Sequence, residues 1–288
     1  MVQHETNLSE QSRRITKKSN SNFYYSFFSL PADKRKALYA IYALCRCLDD
    51  VVDKSANRLE ASEALLKWTT EIINMYKGKP SHPLTIDLKS YIDKYSIPQK
   101  YFLELIKGVE MDLTKNRYGT FDELHKYCYR VASIVGLICA EVFGYHNATT
   151  LGYAVDLGIA LQLTNIMRDI KADTLNGRIY LPLEDLKKFG YTEEDLLSST
   201  YNQAFVELMR FEAERARSYY KRAVETLPKE DQRAMVAAEI MRAIYSRLLQ
   251  EIEHADYNIF SVSPRLSKFQ KIFIALRTFF RNRMGLRV

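Results

Sequence analysis

The chain has 288 residues, of which 47% are apolar and 27% charged, with a formal net charge of +7. These values lie in the range of a soluble globular protein with room for one large domain or two small ones. No run approaches the ~20 apolar residues that cross a bilayer, and 10 Gly with 7 Pro are few for a strand-and-turn protein.

The first twenty residues are polar and lack the apolar core of a signal peptide. Cys45, Cys47, Cys128 and Cys139 show no C-x-x-C spacing and read as reduced thiols of a cytoplasmic protein. Helices follow in chain order. "DKRKALYAIYALCRCLDDVVD" has apolar residues at helical spacing behind Pro31, and "RLEASEALLKWTTEIINMYKG" is periodic up to Gly78 and Pro80. "PQKYFLELIKGVEMDLTK" starts on a proline. "TFDELHKYCYRVASIVGLICAEVFG" has a Thr cap and a Gly stop, and "ATTLGYAVDLGIALQLTNIMRDIKAD" leads to a loop at "LNGRIYLP". Two long helices flank Pro228, and "SKFQKIFIALRTFFRNR" is the last. With no alternating pattern, repeat or linker, the expectation is an all-α fold in a single domain over 1–288.

The charge is uneven. From Tyr257 onward there is no acidic residue, while Arg265, Lys268, Lys271, Arg277, Arg281, Arg283 and Arg287 are basic, so the tail carries the whole net charge. A balanced body argues against a nucleic-acid partner. Phe269, Ile272, Phe273, Leu276 and Phe280 recur at helical spacing among these cations. The segment 265–288 therefore reads as a basic amphipathic helix. Its first turns are expected to pack on the core, and its arginine-rich end to meet anionic lipid.

Two stripes carry chemistry. Gly158, Gln162, Asn165, Asp169 and Asp173 fall on one face of a helix, and so do Tyr42, Arg46, Asp49 and Asp53 on another. Spaced carboxylates are commonly just a solvated face. Here each set is bordered by apolar residues, and each includes an arginine in or beside the stripe, Arg46 or Arg168. Facing carboxylates in a low-dielectric interior repel. Mg²⁺ relieves that repulsion, since it takes oxygen ligands and bridges one or two carboxylates to substrate phosphate. The pattern points to a diphosphate held through Mg²⁺ and clamped by arginines.

At these residues the sequence resembles the squalene/phytoene synthase family, the head-to-head prenyl synthases. "YCYRVASIVGLIC" (127–139) matches its first motif and "LGIALQLTNIMRDIKADTLNGRIYLP" (157–182) its second, with "CRCLDDVVD" upstream. The resemblance extends from about Asn20 to about Lys271. It implies an isoprenoid synthase helical bundle around a central cavity. It also implies two prenyl diphosphate substrates and Mg²⁺, or Mn²⁺, held by Asp49, Asp53, Asp169 and Asp173 with Asn165. One substrate ionises, the second attacks, and proton loss closes a cyclopropane diphosphate. By motif position Tyr129 stands near the departing proton or diphosphate, and Arg168 is grouped with the catalytic aspartates. Substrate contacts are expected at Phe23, Tyr42, Arg46, Gln162, Arg178 and Tyr245, at Asn22 where the family has Ser, and at Arg265.

The short texts "FYYSF" and "SFFSLP" lean toward the presqualene/squalene branch. The expected reaction is thus two farnesyl diphosphates to presqualene diphosphate, then squalene or dehydrosqualene. NADPH is needed only if squalene is the end point, and a partner enzyme if the second half-reaction is absent. Two geranylgeranyl diphosphates giving phytoene is the alternative, because one sequence does not show what closes the cavity floor. A non-catalytic all-α scaffold or assembly factor is the rival of another class. The intact aspartates argue against it, and "YCYRVASIVG" with the Arg178-Ile179-Tyr180 ending argues against a class I terpene cyclase or a chain-elongating synthase. The histidines are scattered and no G-x-G-x-x-G or P-loop is present. The expected location is cytoplasmic, or peripheral on the inner face of the membrane.

Overall fold

The structure, a computed structural model, describes residues 22–286. The polar segment 1–19 and the last two residues lie outside the described residues. Among the described residues there are helices and no strand, with one isolated bridge between Arg117 and Ile179.

The chain begins with α1 (Asn22–Phe27), α2 (Ala32–Lys54), α3 (Arg58–Tyr76), α4 (Pro83–Tyr95) and α5 (Gln99–Thr114). Helix α6 (Phe121–Cys128) passes through a π-helical turn, Tyr129–Ser133, into α7 (Ile134–Phe143). The 27-residue α8 (Thr149–Leu175) is followed by short α9 (Leu183–Lys188) and α10 (Glu193–Leu197), then α11 (Gln203–Thr226). A 3₁₀ turn at Lys229–Asp231 leads to α12 (Val236–His254), and α13 (Lys268–Arg283) ends the described chain.

Local chemistry sets the boundaries. Asn57, Thr120, Asn202 and Ser267 accept backbone N–H groups at the starts of α3, α6, α11 and α13. Ser267 forms a reciprocal box with Gln270. Helix α4 has no counterpart in the sequence expectations. Its cap is the unusual His82, whose ring nitrogen accepts from the Leu84 N–H, and few apolar residues, among them Leu84, Leu88 and Ile92, are buried. The run 120–144 is not one α-helix, because the π turn inserts a residue.

One hydrophobic core joins residues from Phe27 to Ala275. Helix α8 is its axis, packed against α11, α7, α12 and the π turn. Gly158 makes the last contact possible, since a Cβ there would lie 2.5 Å from the Ser133 Cα. At the far end of α8, the buried Asp231 carboxylate accepts from the His146 and Asn147 N–H groups and from Thr150 Oγ1, at 2.8, 3.0 and 2.6 Å.

The last helix corrects an expectation. Its first turns do not pack through the aromatic stripe. Ala275, Thr278 and Asn282 are its buried residues, while Phe269, Ile272, Phe273, Leu276 and Phe280 are all exposed. Short side chains bring the helix backbone close to α12, so this aromatic row falls on the opposite side. Asn282 Nδ2 donates to the Gln232 carbonyl at 2.8 Å.

Candidate active site

Helices α2, α5, α8 and the π turn enclose a polar chamber. Its walls hold Asp49, Asp53, Asn165, Asp169, Asp173, Gln162, Arg46, Arg168 and Arg178. The two stripes thus face one space, a turn apart along each helix. The loop after α8 supplies Arg178. Gly177 reverses the chain at φ +73°, the Arg178 N–H donates to the Asp173 carbonyl at 2.9 Å, and the Ile179 N–H donates to the Asn116 carbonyl at 3.0 Å. This stitching returns Arg178 and Tyr180 beneath the carboxylates, with Arg178 Nη1 at 3.7 Å from Asp53 Oδ1.

The chamber opens into an apolar cavity of about 1150 Å³, its open mouth included. Asp49, Val131, Gln162 and Asn165 line both spaces. Phe23, Tyr42 and Tyr245 stand on the apolar walls. Ala132, Gly136 and Ala140 form one side, so small residues serve both as wall and as packing contact; a Cβ on Gly136 would meet the Ala154 carbonyl at 2.7 Å. At the far end Tyr153 is fully buried, and its hydroxyl donates to Glu239, which Arg242 holds in turn.

The electrostatics are those of crowded carboxylates. Asp173 is pushed up to about 7 by burial and by Asp169, against the pull of Arg178. Asp49 is pushed up to about 6 by its depth, while Arg46 opposes and Asp53 and Asp112 add to the rise. Its surface is nonetheless open to the chamber, so water there weakens that shift. Arg168 clasps its neighbour Asp169 in a bidentate pair, with Nε to Oδ1 at 2.7 Å. Arg46 reaches Asp50 at 2.8 Å.

The donor set suits a hard cation. All the candidate ligands are oxygens, and the buried Asn165 Oδ1 has no hydrogen-bond partner among the described residues. Among those residues no three Asp, Glu, His or Cys side chains converge enough to hold an ion unaided. Mg²⁺ takes oxygen ligands and keeps water and substrate phosphate in its shell.

Three expected residues lie elsewhere. Tyr129, Asn22 and Arg265 line neither space. Tyr129 sits two residues from Tyr127, and positions i and i+2 of a helix point to different sides. It is Tyr127 that enters the polar chamber, in line with Val131 one turn on. Arg265 is exposed in the stretch before α13, and Asn22 is half-buried at the start of α1.

Sequence reasoning also missed a fifth carboxylate. Asp112 on α5 accepts from the Tyr127 hydroxyl at 3.0 Å and from the Tyr180 hydroxyl at 2.8 Å. The two rings stack at 5.2 Å. Burial raises the Asp112 pKa, which the two hydroxyls and Arg178 partly offset. A single Asp without a repeat gave no stripe, so no spacing signalled it. The Tyr127–Val131 spacing was a usable signal for Tyr127.

The Squalene/phytoene synthase family profile matches residues 16–270. A "Phytoene synthase" of Arthrospira platensis is 37% identical over 278 residues, covering 91% of this chain and 89% of its own. A "15-cis-phytoene synthase" of Synechocystis sp. is 36% identical over 264 residues, 86% of this chain and 77% of its own. Among solved structures, a dehydrosqualene synthase in complex with ligand superposes with TM-score 0.88 at 27% identity, over 98% of this chain and 99% of its own. A squalene synthase from Alicyclobacillus acidocaldarius gives TM-score 0.80 at 28% identity, over 88% and 96%.

Proposed function

The chain belongs to the squalene/phytoene synthase family, and from that premise we propose that it condenses two geranylgeranyl diphosphates head to head into phytoene. It is a prenyltransferase of the squalene/phytoene type. The observation that carries the mechanism is the junction at Asp49 and Asn165, where a carboxylate chamber opens into an apolar cavity. The chain length rests on the relatives, which are named phytoene synthases at 32–37% identity. They favour the longer substrate over the farnesyl reading that "FYYSF" and "SFFSLP" suggested. The reading takes 1–288 as one synthase domain.

In this proposal Asp49, Asp53, Asp169, Asp173 and Asn165 hold Mg²⁺, with Mn²⁺ as a substitute. Bound metal supplies the counter-charge that lets diphosphate leave. Arg46, Arg168 and Arg178 take the remaining diphosphate oxygens, once Arg168 and Arg46 release Asp169 and Asp50. Gln162 orients the diphosphate at the junction. Tyr127 and Tyr180, held by Asp112, place hydroxyls beside the leaving group. The apolar walls exclude water from the allylic cation, and the faces of Phe23, Tyr42 and Tyr245 stabilise it. Termination by proton loss requires no NADPH.

A second reading, two farnesyl diphosphates to dehydrosqualene, is favoured by the likeness to the dehydrosqualene synthase over 98% of this chain. Among the described residues no helix is long and apolar enough to cross a membrane. The proposed location is cytoplasmic with peripheral contact at the inner membrane face, where a hydrocarbon product would be delivered. No partner enzyme is needed for the phytoene reading.

The test is incubation of purified protein with Mg²⁺ and each labelled diphosphate, with and without NADPH. Phytoene from the longer substrate is expected. C30 products alone would establish the second reading, and a stalled presqualene diphosphate would call for a partner enzyme. No product from either substrate would return the scaffold reading.

A further inference from the structure

Helix α13 is amphipathic the wrong way round. Phe269, Phe273, Leu276, Phe280 and Met284 are 85, 67, 42, 58 and 65% exposed, and they recur every three to four residues along one side. The opposite side, with Ala275, Thr278 and Asn282, meets the body of the protein. A surface helix ordinarily turns its apolar stripe to the core. An outward row of this length marks an interaction site.

Cations border the row on both edges. Arg277 and Arg283 are exposed beside it, and no acidic residue occurs from Tyr257 onward. Arg247 and Arg281 line the groove between α12 and α13 together with Arg277. Arg247 shares its charge with Glu251 at 2.6 Å. The place of the helix matters as much. Phe279 packs on Phe28 at the end of α1, with ring centroids 6.0 Å apart. Phe28 is itself exposed, and α1 contributes Phe23 and Phe27 to the apolar cavity.

We infer that the outer face of α13, with Phe28, is a docking surface for an anionic lipid bilayer, which sets the α1 wall of the cavity against the membrane. An amphipathic helix of this kind lies in the interface with its apolar side in the acyl boundary, while its basic residues meet acidic headgroups. A second copy of the chain is the poorer occupant. A twofold contact repeats the same patch on both sides, so the cationic borders of two α13 helices would be brought together with no carboxylate of this segment between them. The surface takes its purpose from the proposed function, delivery of a hydrocarbon, but its geometry stands without it.

The experiment compares sedimentation of the whole protein with phosphatidylcholine vesicles and with vesicles containing phosphatidylglycerol, at low and high salt. Binding to the anionic vesicles is expected to exceed binding to neutral ones by about tenfold and to fall with salt. Phe273→Ser combined with Phe280→Ser, and separately Arg277→Glu, should each lower binding by about tenfold. Circular dichroism and turnover of detergent-dispersed substrate should remain as in the wild type. Equal binding to both vesicle types, or variants that bind like the wild type, would overturn the inference. So would a dimer that the double Phe variant dissociates while vesicles stay unbound. Lipid binding lost in the variants, with no turnover by any form, would support the docking surface and count against the enzymatic reading alone.

Discussion

Helices α8 and α13 each break the rule that polar faces look out and apolar faces look in, and they break it in opposite senses. Helix α8 turns Asn165, Asp169 and Asp173 inward to a chamber, and α13 turns Phe273 and Phe280 outward to solvent. In neither case does the folded chain alone supply the environment the residues prefer. The difference is what would complete it on the readings proposed above: cations and diphosphate for α8, apolar lipid for α13. Asp231 shows the ordinary arrangement. Its buried carboxylate is met by two N–H groups and a hydroxyl, which hold it down to about 2 despite burial. Among the described residues no comparable set of donors meets the Asp173 carboxylate, and burial together with Asp169 raises it to about 7.

The largest effect should come from removing one chamber charge. Asp173→Asn is expected to lower turnover by about a thousandfold, several kcal/mol of lost stabilisation. In metal-free buffer it should melt at or above the wild-type temperature, because an uncompensated charge is gone. A variant that instead melts far lower would make Asp173 structural, and the contrast with Asp231 would collapse. Gly158→Ala comes next. Its Cβ would strike backbone at the π turn and force α8 away, costing about 3 kcal/mol and widening the chamber. Chemical denaturation reads the first effect, and the affinity for inorganic pyrophosphate the second.

The pH dependence of the metal-free protein follows in size. Asp173 and Asp49 have folded values near 7 and 6, above the ~3.9 of an unfolded Asp. The folded state therefore binds protons more readily, and stability is expected to rise as pH falls from 8 toward 5. Asp231 has the opposite sign: its stabilisation is present above about pH 4 and is lost as pH falls toward 2. Thermal melts across pH separate the two. Adding Mg²⁺ and pyrophosphate should flatten the first slope and raise the melting temperature, by about 2.7 kcal/mol equivalent at a hundredfold excess over Kd. The smallest effect belongs to α13: Phe273→Ser should shift stability by less than about 0.5 kcal/mol, since its ring is exposed. A loss of several kcal/mol would place that ring in a packed contact and remove the contrast.

Periodicity and composition determined the all-α fold, most helix limits and the two aspartate stripes, because helical spacing alone decides which side chains share a face. They did not decide what each face meets. Motif position singled out Tyr129, and it was the packing around the π turn that set Tyr127 in the chamber wall instead. Asp112 was a lone carboxylate until α5 carried it under Tyr127 and Tyr180. The aromatic row of α13 was equally legible as core or surface. Only the tertiary structure, by seating the helix on Ala275, Thr278 and Asn282, turned the row outward, because here the side with short side chains meets α12 and residues on the other side of a helix then face away.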